Sequence, residues 1–148
     1  MGSIQDRESS AIVAGVRITH PDRLIYPELG ITKLHLARYY ERIARWIVPH
    51  VAGRPLTLVH CPEGIAAPCH YLKHAKAWGP SALRRVRIQE RTKVGEYLVA
   101  DSTEALVSLA QMGIVEIHTW NSTAATSSAR TASSGIWIPG RRCPGRRP

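Results

Sequence analysis

The chain has 148 residues, 44% of them apolar. That is enough for one domain with a modest core and too apolar for a wholly disordered polymer. No apolar run is long enough to span a bilayer, which excludes an integral helical membrane protein. The net charge of +9 and pI of about 10.1 favour an anionic partner, most simply nucleic acid. The charge is unevenly placed, however. Residues 1–118 hold 15 Lys and Arg against all 11 acids, a net +4, and the last 30 residues hold five Arg and no acid. The body of the chain is therefore only mildly basic.

The start, MGSIQDRESS, lacks an apolar h-region, so no secretory signal is expected. Asp6 stands where a myristoylation motif needs Ser or Thr. A reducing cytoplasm is the expected compartment. AGVRITHPDRLIYP reads as a short strand entering a turn punctuated by Pro21 and Pro27. TKLHLARYYERIARWIVPHV carries the strongest helix signal: Thr32 caps it, Leu36, Tyr40, Ile43 and Ile47 share one face, and Pro49 ends it. RPLTLVH reads as a strand and CPEGIAAPCHYLKH as a Gly/Pro loop. RRVRIQE and GEYLVA form a hairpin around RTKVG. DSTEALVSLAQMG is a short helix, with Asp101 and Glu104 at capping-box spacing and Gly113 as its stop, and IVEIH is the strand that follows. Strands and helices mix without regular alternation, which gives an α+β class. From Thr119 the periodicity ends, and the Ser/Thr/Ala-rich and then Pro/Gly/Arg-rich remainder reads as a disordered basic tail.

Three groups of residues carry chemistry. Arg23, in a turn, and Lys33, in the first turn of the helix, are ten residues apart and could converge on a phosphate near a helix N-terminus. On spacing alone, two solvated surface cations are the commoner meaning. His60, Cys61, Cys69, His70 and His74 invite a zinc reading. Cys-x7-Cys is not a structural zinc spacing and there is no second C-x2-C pair, so loop histidines and buried or free thiols are expected instead. His118 ends the strand IVEIH, where a lone His is usually structural and otherwise contacts a nucleotide or phosphate. No Walker A, G-x-S-x-G or G-x-G-x-x-G string occurs. No paired-carboxylate cluster occurs either, so one copy of the chain cannot build an ordinary two-metal site.

The order of segments, from THPDRLIYPELGITKLHLARYYERIARWIVPHVAGRPLTLVHCPEG through YLKHA to GEYLVADSTEALVSLAQMGIVEIHTWNS, resembles the polymerase domain of bacterial DNA ligase D over residues 12–122. That family is the primase-polymerase module of non-homologous end joining, related to archaeo-eukaryotic primases. The resemblance implies the N-terminal portion of such a domain, incomplete. It assigns DNA 5′-phosphate binding to Arg23 and Lys33, template contact to Tyr71 and Lys73, and nucleotide binding to His118. Arg23 stands where the family often has Lys, and His70 where it has an aromatic residue, so the aromatic platform is kept only by Tyr71. The implied partners are 5′-phosphorylated DNA ends, Ku and ligase or nuclease modules. The implied metals, Mg²⁺ or Mn²⁺, belong to an Asp-Leu-Asp-Pro-Gly strand that is missing here.

One reading of that loss is a changed reading frame. The string SARTASSGIWIPG, given GC-rich codons preceded by one G and read one base earlier, spells Glu-Arg-Pro-Asp-Arg-Ile-Val-Trp-Asp-Leu-Asp-Pro-Gly. Residues from about Ala125 are therefore expected to be out of frame, with 123–148 disordered, the fold marginal and the chain inactive as a polymerase. Two rival readings are a non-catalytic module that grips 5′-phosphorylated ends and a small zinc protein.

Overall fold

A computed structural model of the chain describes residues 9–76 and 79–125. Among the described residues nine short strands and two α-helices mix without regular alternation, the α+β arrangement expected. Strands β1 (Ser10–Val13) and β2 (Val16–Thr19) make a hairpin. It turns at Ala14 and Gly15, both at positive φ, a two-residue turn whose twist suits a hairpin. The single strand expected here is thus a pair. After the His20–Arg23 turn come β3 (Leu24–Tyr26), a 3-10 turn at Pro27–Leu29 and β4 (Ile31–Thr32). Helix α1 (Lys33–Val51) follows. Its cap is a reciprocal pair, the Thr32 hydroxyl accepting from the His35 amide and His35 Nδ1 accepting from the Thr32 amide. Pro49 does not end this helix. It lies in the last turn, where only one helical donor is lost, and the chain stops at Val51, just before Gly53 at φ 71°.

Strand β5 (Leu56–His60) is the centre of a three-stranded antiparallel sheet, flanked by β6 (His70–Leu72) and β9 (Ile114–Thr119). Strands β7 (Arg84–Gln89) and β8 (Val94–Val99) form the hairpin read from the sequence. Helix α2 (Thr103–Gln111) is capped by Ser102, not by Asp101. Asp101 instead accepts from the Gly53 amide and from Arg84 Nε, both at 2.7 Å, tying the hairpin to the end of α1. Residues Ala105–Ala110 of α2 are buried on every side, as befits a helix enclosed by other elements. Leu36, Ala37, Tyr40 and Ala44 of α1 pack with them, and Leu56 and Leu58 of β5 and Ile114 of β9 belong to the same core. The Tyr40 hydroxyl donates to the Ile114 carbonyl at 2.8 Å, so a buried polar group is satisfied across that core.

The packed chain runs a little beyond 12–122. β1 begins at Ser10, Trp120 stacks edge-on against Tyr97, Arg54 donates to the Trp120 and Asn121 carbonyls, and the Ala124 amide donates to the Gly53 carbonyl at 2.7 Å. Of the segment 123–148 read as disordered, the described start includes Ala124, bonded to the end of α1 through Gly53. The tail from 126 to 148 lies outside the described residues.

Candidate nucleic-acid interface

Four segments enclose a cavity of about 270 Å3: the His20–Arg23 turn, the start of α1, the end of β5 and the end of α2. Local chemistry sets each one. His20 lies at φ 51°, ahead of Pro21, and its carbonyl accepts from the Arg23 amide at 3.0 Å, closing the turn. Gln111 clamps β2 to α2 by a reciprocal pair with Thr19, at 2.9 and 2.8 Å. The nine-residue loop Cys61–Cys69 docks on this turn: the Ile65 amide donates to the Ile25 carbonyl and Arg23 Nη1 to the Pro62 carbonyl.

Arg23 and Lys33 both line the cavity, so the structure brings together the two cations read as a phosphate site. Glu63 holds Arg23 loosely at 3.7 Å. Lys33 is only 6% exposed, and its ammonium is lowered to about 8, first by burial and then by the charge of Arg23. A buried Lys33 beside a partly exposed Arg23, with no carboxylate lining the same cavity, favours an anion between them. The helix N-terminus is not the donor set, however. The Lys33 amide is taken by the Arg23 carbonyl, that of Leu34 by Pro21, and that of His35 by Thr32. Any phosphate here is held by side chains rather than by helix amides.

Tyr71, Lys73 and His118 sit elsewhere, around the three-stranded sheet. Register places Tyr71 opposite Val59, Val59 opposite Glu116, and His118 opposite Thr57. Residues directly opposite share a face, so Tyr71, Glu116 and His118 project from the face away from Leu56 and Leu58. Tyr71 is 78% exposed, and His118 Nε2 is 3.0 Å from Glu116 Oε2. This open face is separate from the phosphate cavity. It presents an aromatic ring on an edge strand two strand spacings across and two residues along from an imidazole, ~12 Å.

Lys73 has a role that the sequence did not reveal. Its ammonium lies 3.4 Å from Glu90 Oε1, which also accepts from the Tyr97 hydroxyl at 2.6 Å and from His74 Nε2 at 2.5 Å. The hydrogen bonds from Tyr97 and His74, with the charge of Lys73, hold the Glu90 carboxyl down to about 2. Because the folded value lies below the ordinary 4.5, the stabilisation is complete above that pH and is lost as pH falls toward 2. Glu90→Gln is expected to cost about 1–3 kcal/mol at pH 7 and to flatten stability between those limits, as urea melts at several pH values would show. A variant as stable as wild type, with the same pH profile, would mean that Glu90 is not the brace.

The Cys/His group is corrected. Cys61 and Cys69 are neither free thiols nor paired ligands; they form a disulfide with S–S 2.00 Å that closes the docked loop. Among the described residues no group of three or more His, Cys, Asp and Glu is arranged to hold a metal. The carboxylates present do not fit a two-metal centre either. Of the three Asp residues, Asp22 and Asp101 lie among the described residues, where Asp101 is engaged by Arg84 and the Gly53 amide and neither belongs to a metal-holding group.

The sequence reading missed the part that His20, His60 and Gln111 play in the cavity. A signal for His60 was present: it continues the inward alternation of Leu56 and Leu58 on β5. A larger depression of about 540 Å3 lies on α1 between Tyr39, Arg42 and Trp46, and holds none of the candidate site residues. No helix of the described residues is long and apolar enough to cross a membrane.

Comparison with known proteins shows the family and fold of the chain. A family model described as the LigD primase-polymerase domain matches residues 32–134. The multifunctional non-homologous end joining protein LigD of Pseudomonas aeruginosa is 39% identical over 119 residues, 79% of this chain and 14% of that protein. The LigD protein of Mycolicibacterium smegmatis is 37% identical over 103 residues, 70% of this chain and again 14% of its own length. Among solved structures, the polymerase domain of Mycobacterium tuberculosis ligase D in complex with DNA superposes with a TM-score of 0.67 at 32% identity. That match covers 70% of this chain and 36% of the solved one. The chain thus spans about a seventh of the curated relatives and about a third of the solved domain.

Proposed function

This chain belongs to the LigD primase-polymerase domain family, and from that premise we propose that its described residues form the part of the domain that grips the 5′-phosphate of a DNA end. The observation that carries this reading is the convergence of Arg23 and a buried Lys33 on one cavity without a carboxylate in its lining. The solved relative is in complex with DNA, which supports the same ligand class for this chain. The open sheet face with Tyr71 and His118 is the second surface, suited to stacking a base and meeting a nucleotide phosphate. Lys73 neighbours it and can exchange its exposed Glu90 contact for a backbone phosphate. Ku and ligase or nuclease modules would join through parts of the system outside these residues.

The parent reaction is template-directed nucleotidyl transfer at a break. This chain carries no Asp-x-Asp pair, and β9 pairs only with β5 among the described residues, leaving an edge where the metal-bearing strand of the family would lie. The purified 148-residue chain is expected to add no nucleotides to a primed end. Metal-dependent primer extension by it would overturn that expectation, whereas phosphate-selective binding without extension is what an end-gripping module gives. The tail beyond about Ala125 is proposed to be out of frame. The family match extends into that stretch, to residue 134. Sequencing the locus tests the proposal, and an intact frame through the tail overturns it.

The binding test compares a recessed duplex with and without a 5′-phosphate by fluorescence anisotropy. Equal affinity for both would remove the basis of the reading.

A further inference from the structure

The cavity that holds Arg23 and Lys33 is also lined by His60, a residue the phosphate reading leaves unused. His60 ends β5 at an irregularity in the β5–β9 ladder between Val59 and His60, the kind of break that re-aims a side chain. Its ring is partly buried, with Met112 in the same lining. A neutral imidazole has one N–H and one bare acceptor nitrogen, and the bare nitrogen repels a phosphate oxygen. In the protonated ring it is a donor, which holds one.

We propose that His60 is a third phosphate-holding group of this pocket, and that its protonation tightens the grip on a terminal phosphate as pH falls from about 8 to about 6.5. The proposal rests on the 5′-phosphate reading above. Among the described residues that line the cavity or act on His60 none is acidic: Arg23, Lys33 and His20 line the cavity with it, His70 lies directly opposite on β6, and Lys76 acts on it, while Glu63 reaches Arg23 from outside the lining. Burial first, then Lys76 and His70, lower the imidazole and so disfavour its charged form in the empty pocket. A phosphate dianion set among the three residues reverses that balance, so binding takes up a proton. The ligand titrates in the opposite sense. A phosphate monoester loses its second charge as pH falls through about 6, which weakens binding, so tightening on acidification cannot come from the phosphate itself.

The test measures, at constant ionic strength, the affinity ratio between 5′-phosphate and 5′-hydroxyl recessed duplexes at pH 6.5, 7.2 and 8.0. Wild type, His60→Gln and His20→Gln are compared. The wild-type ratio is expected to rise about threefold to tenfold from pH 8.0 to 6.5. Between pH 7.2 and 6.5, below the Lys33 titration near 8, it should be flat in His60→Gln and should keep its slope in His20→Gln. At pH 6.8 wild type should also take up a substantial fraction of a proton on binding the phosphorylated duplex, read by calorimetry in buffers of different ionisation enthalpy. That measurement stands even if His60→Gln fails to fold. A slope between pH 7.2 and 6.5 that survives in His60→Gln, or no proton uptake by wild type at pH 6.8, overturns the role of His60 while leaving phosphate recognition intact. A wild-type ratio of one at every pH overturns the underlying phosphate reading instead.

Discussion

Replacing Arg23 and Lys33 together by alanine is expected to abolish the preference for a 5′-phosphorylated end, a loss on the order of 100-fold in that ratio. The magnitude follows from two charge-assisted hydrogen bonds at the low end of their range, ~1.5 kcal/mol each, because the pocket is open to water and Arg23 is one-third exposed. Affinity for the 5′-hydroxyl duplex should fall far less, because the other basic residues still meet the backbone. Stability provides the internal control. Lys33 is held near 8, below its ordinary 10.5, so the unfolded chain binds the extra proton between those values. Wild-type stability should therefore rise as pH climbs from 8 to 10.5, and its charged Lys33 costs stability at neutral pH. The double variant should melt no lower than wild type at pH 7.5 and should lose that alkaline rise. A variant that is folded and still selects the phosphorylated end would show that the cations are not the site.

Gly64→Ala should be the most damaging single change in the loop that builds the pocket. Gly64 lies at φ 88°, and a Cβ there would sit 2.5 Å from the Leu24 carbonyl oxygen and 3.1 Å from that of Ile25. Both obstacles are backbone, so no side chain can swing aside. The strain of the left-handed conformation and the displacement of β3 together are expected to cost about 3 kcal/mol or more, a large part of a small domain's stability. Gly53→Ala is the comparison. It has a similar φ of 71° but open space around the added methyl, and should cost only about 1 kcal/mol. Urea midpoints of the two variants measure the difference. If Gly64→Ala folds, phosphate selectivity should still weaken, because lifting the loop removes the Pro62 carbonyl that positions Arg23. Equal destabilisation by the two substitutions would mean that the loop is not seated on β3.

Much of this was legible in the sequence because it is local. The 3.6-residue spacing of Leu36, Tyr40, Ile43 and Ile47 with a Thr cap specifies α1, and two alternating runs around RTKVG specify the β7–β8 hairpin. The pairing of Arg23 with Lys33 came from resemblance, since ten residues of spacing fit a hundred surfaces. Boundaries set by competition were misread. Ser102 and Asp101 are both capping residues, and Asp101 is drawn away because Arg84 and the Gly53 amide reach it from elsewhere in the fold. Pro49 stays helical because the turn it spoils is the last one.

What the sequence determined by itself is the inventory: two helices, the strand-rich segments, a mildly basic body, an acid-free tail and the absence of an Asp-x-Asp pair. Each follows from periodicity or count, quantities that need no partner. What only the tertiary structure decided is which of these meet. The Cys61–Cys69 bond, the Glu90 acceptor shared by Lys73, His74 and Tyr97, and the cavity joining Arg23, Lys33 and His60 all bring together residues from different elements or from the two ends of a folded loop. Their juxtaposition is set by how α1, α2 and β5 pack around one apolar core, and core packing is a property of the whole chain rather than of any window within it.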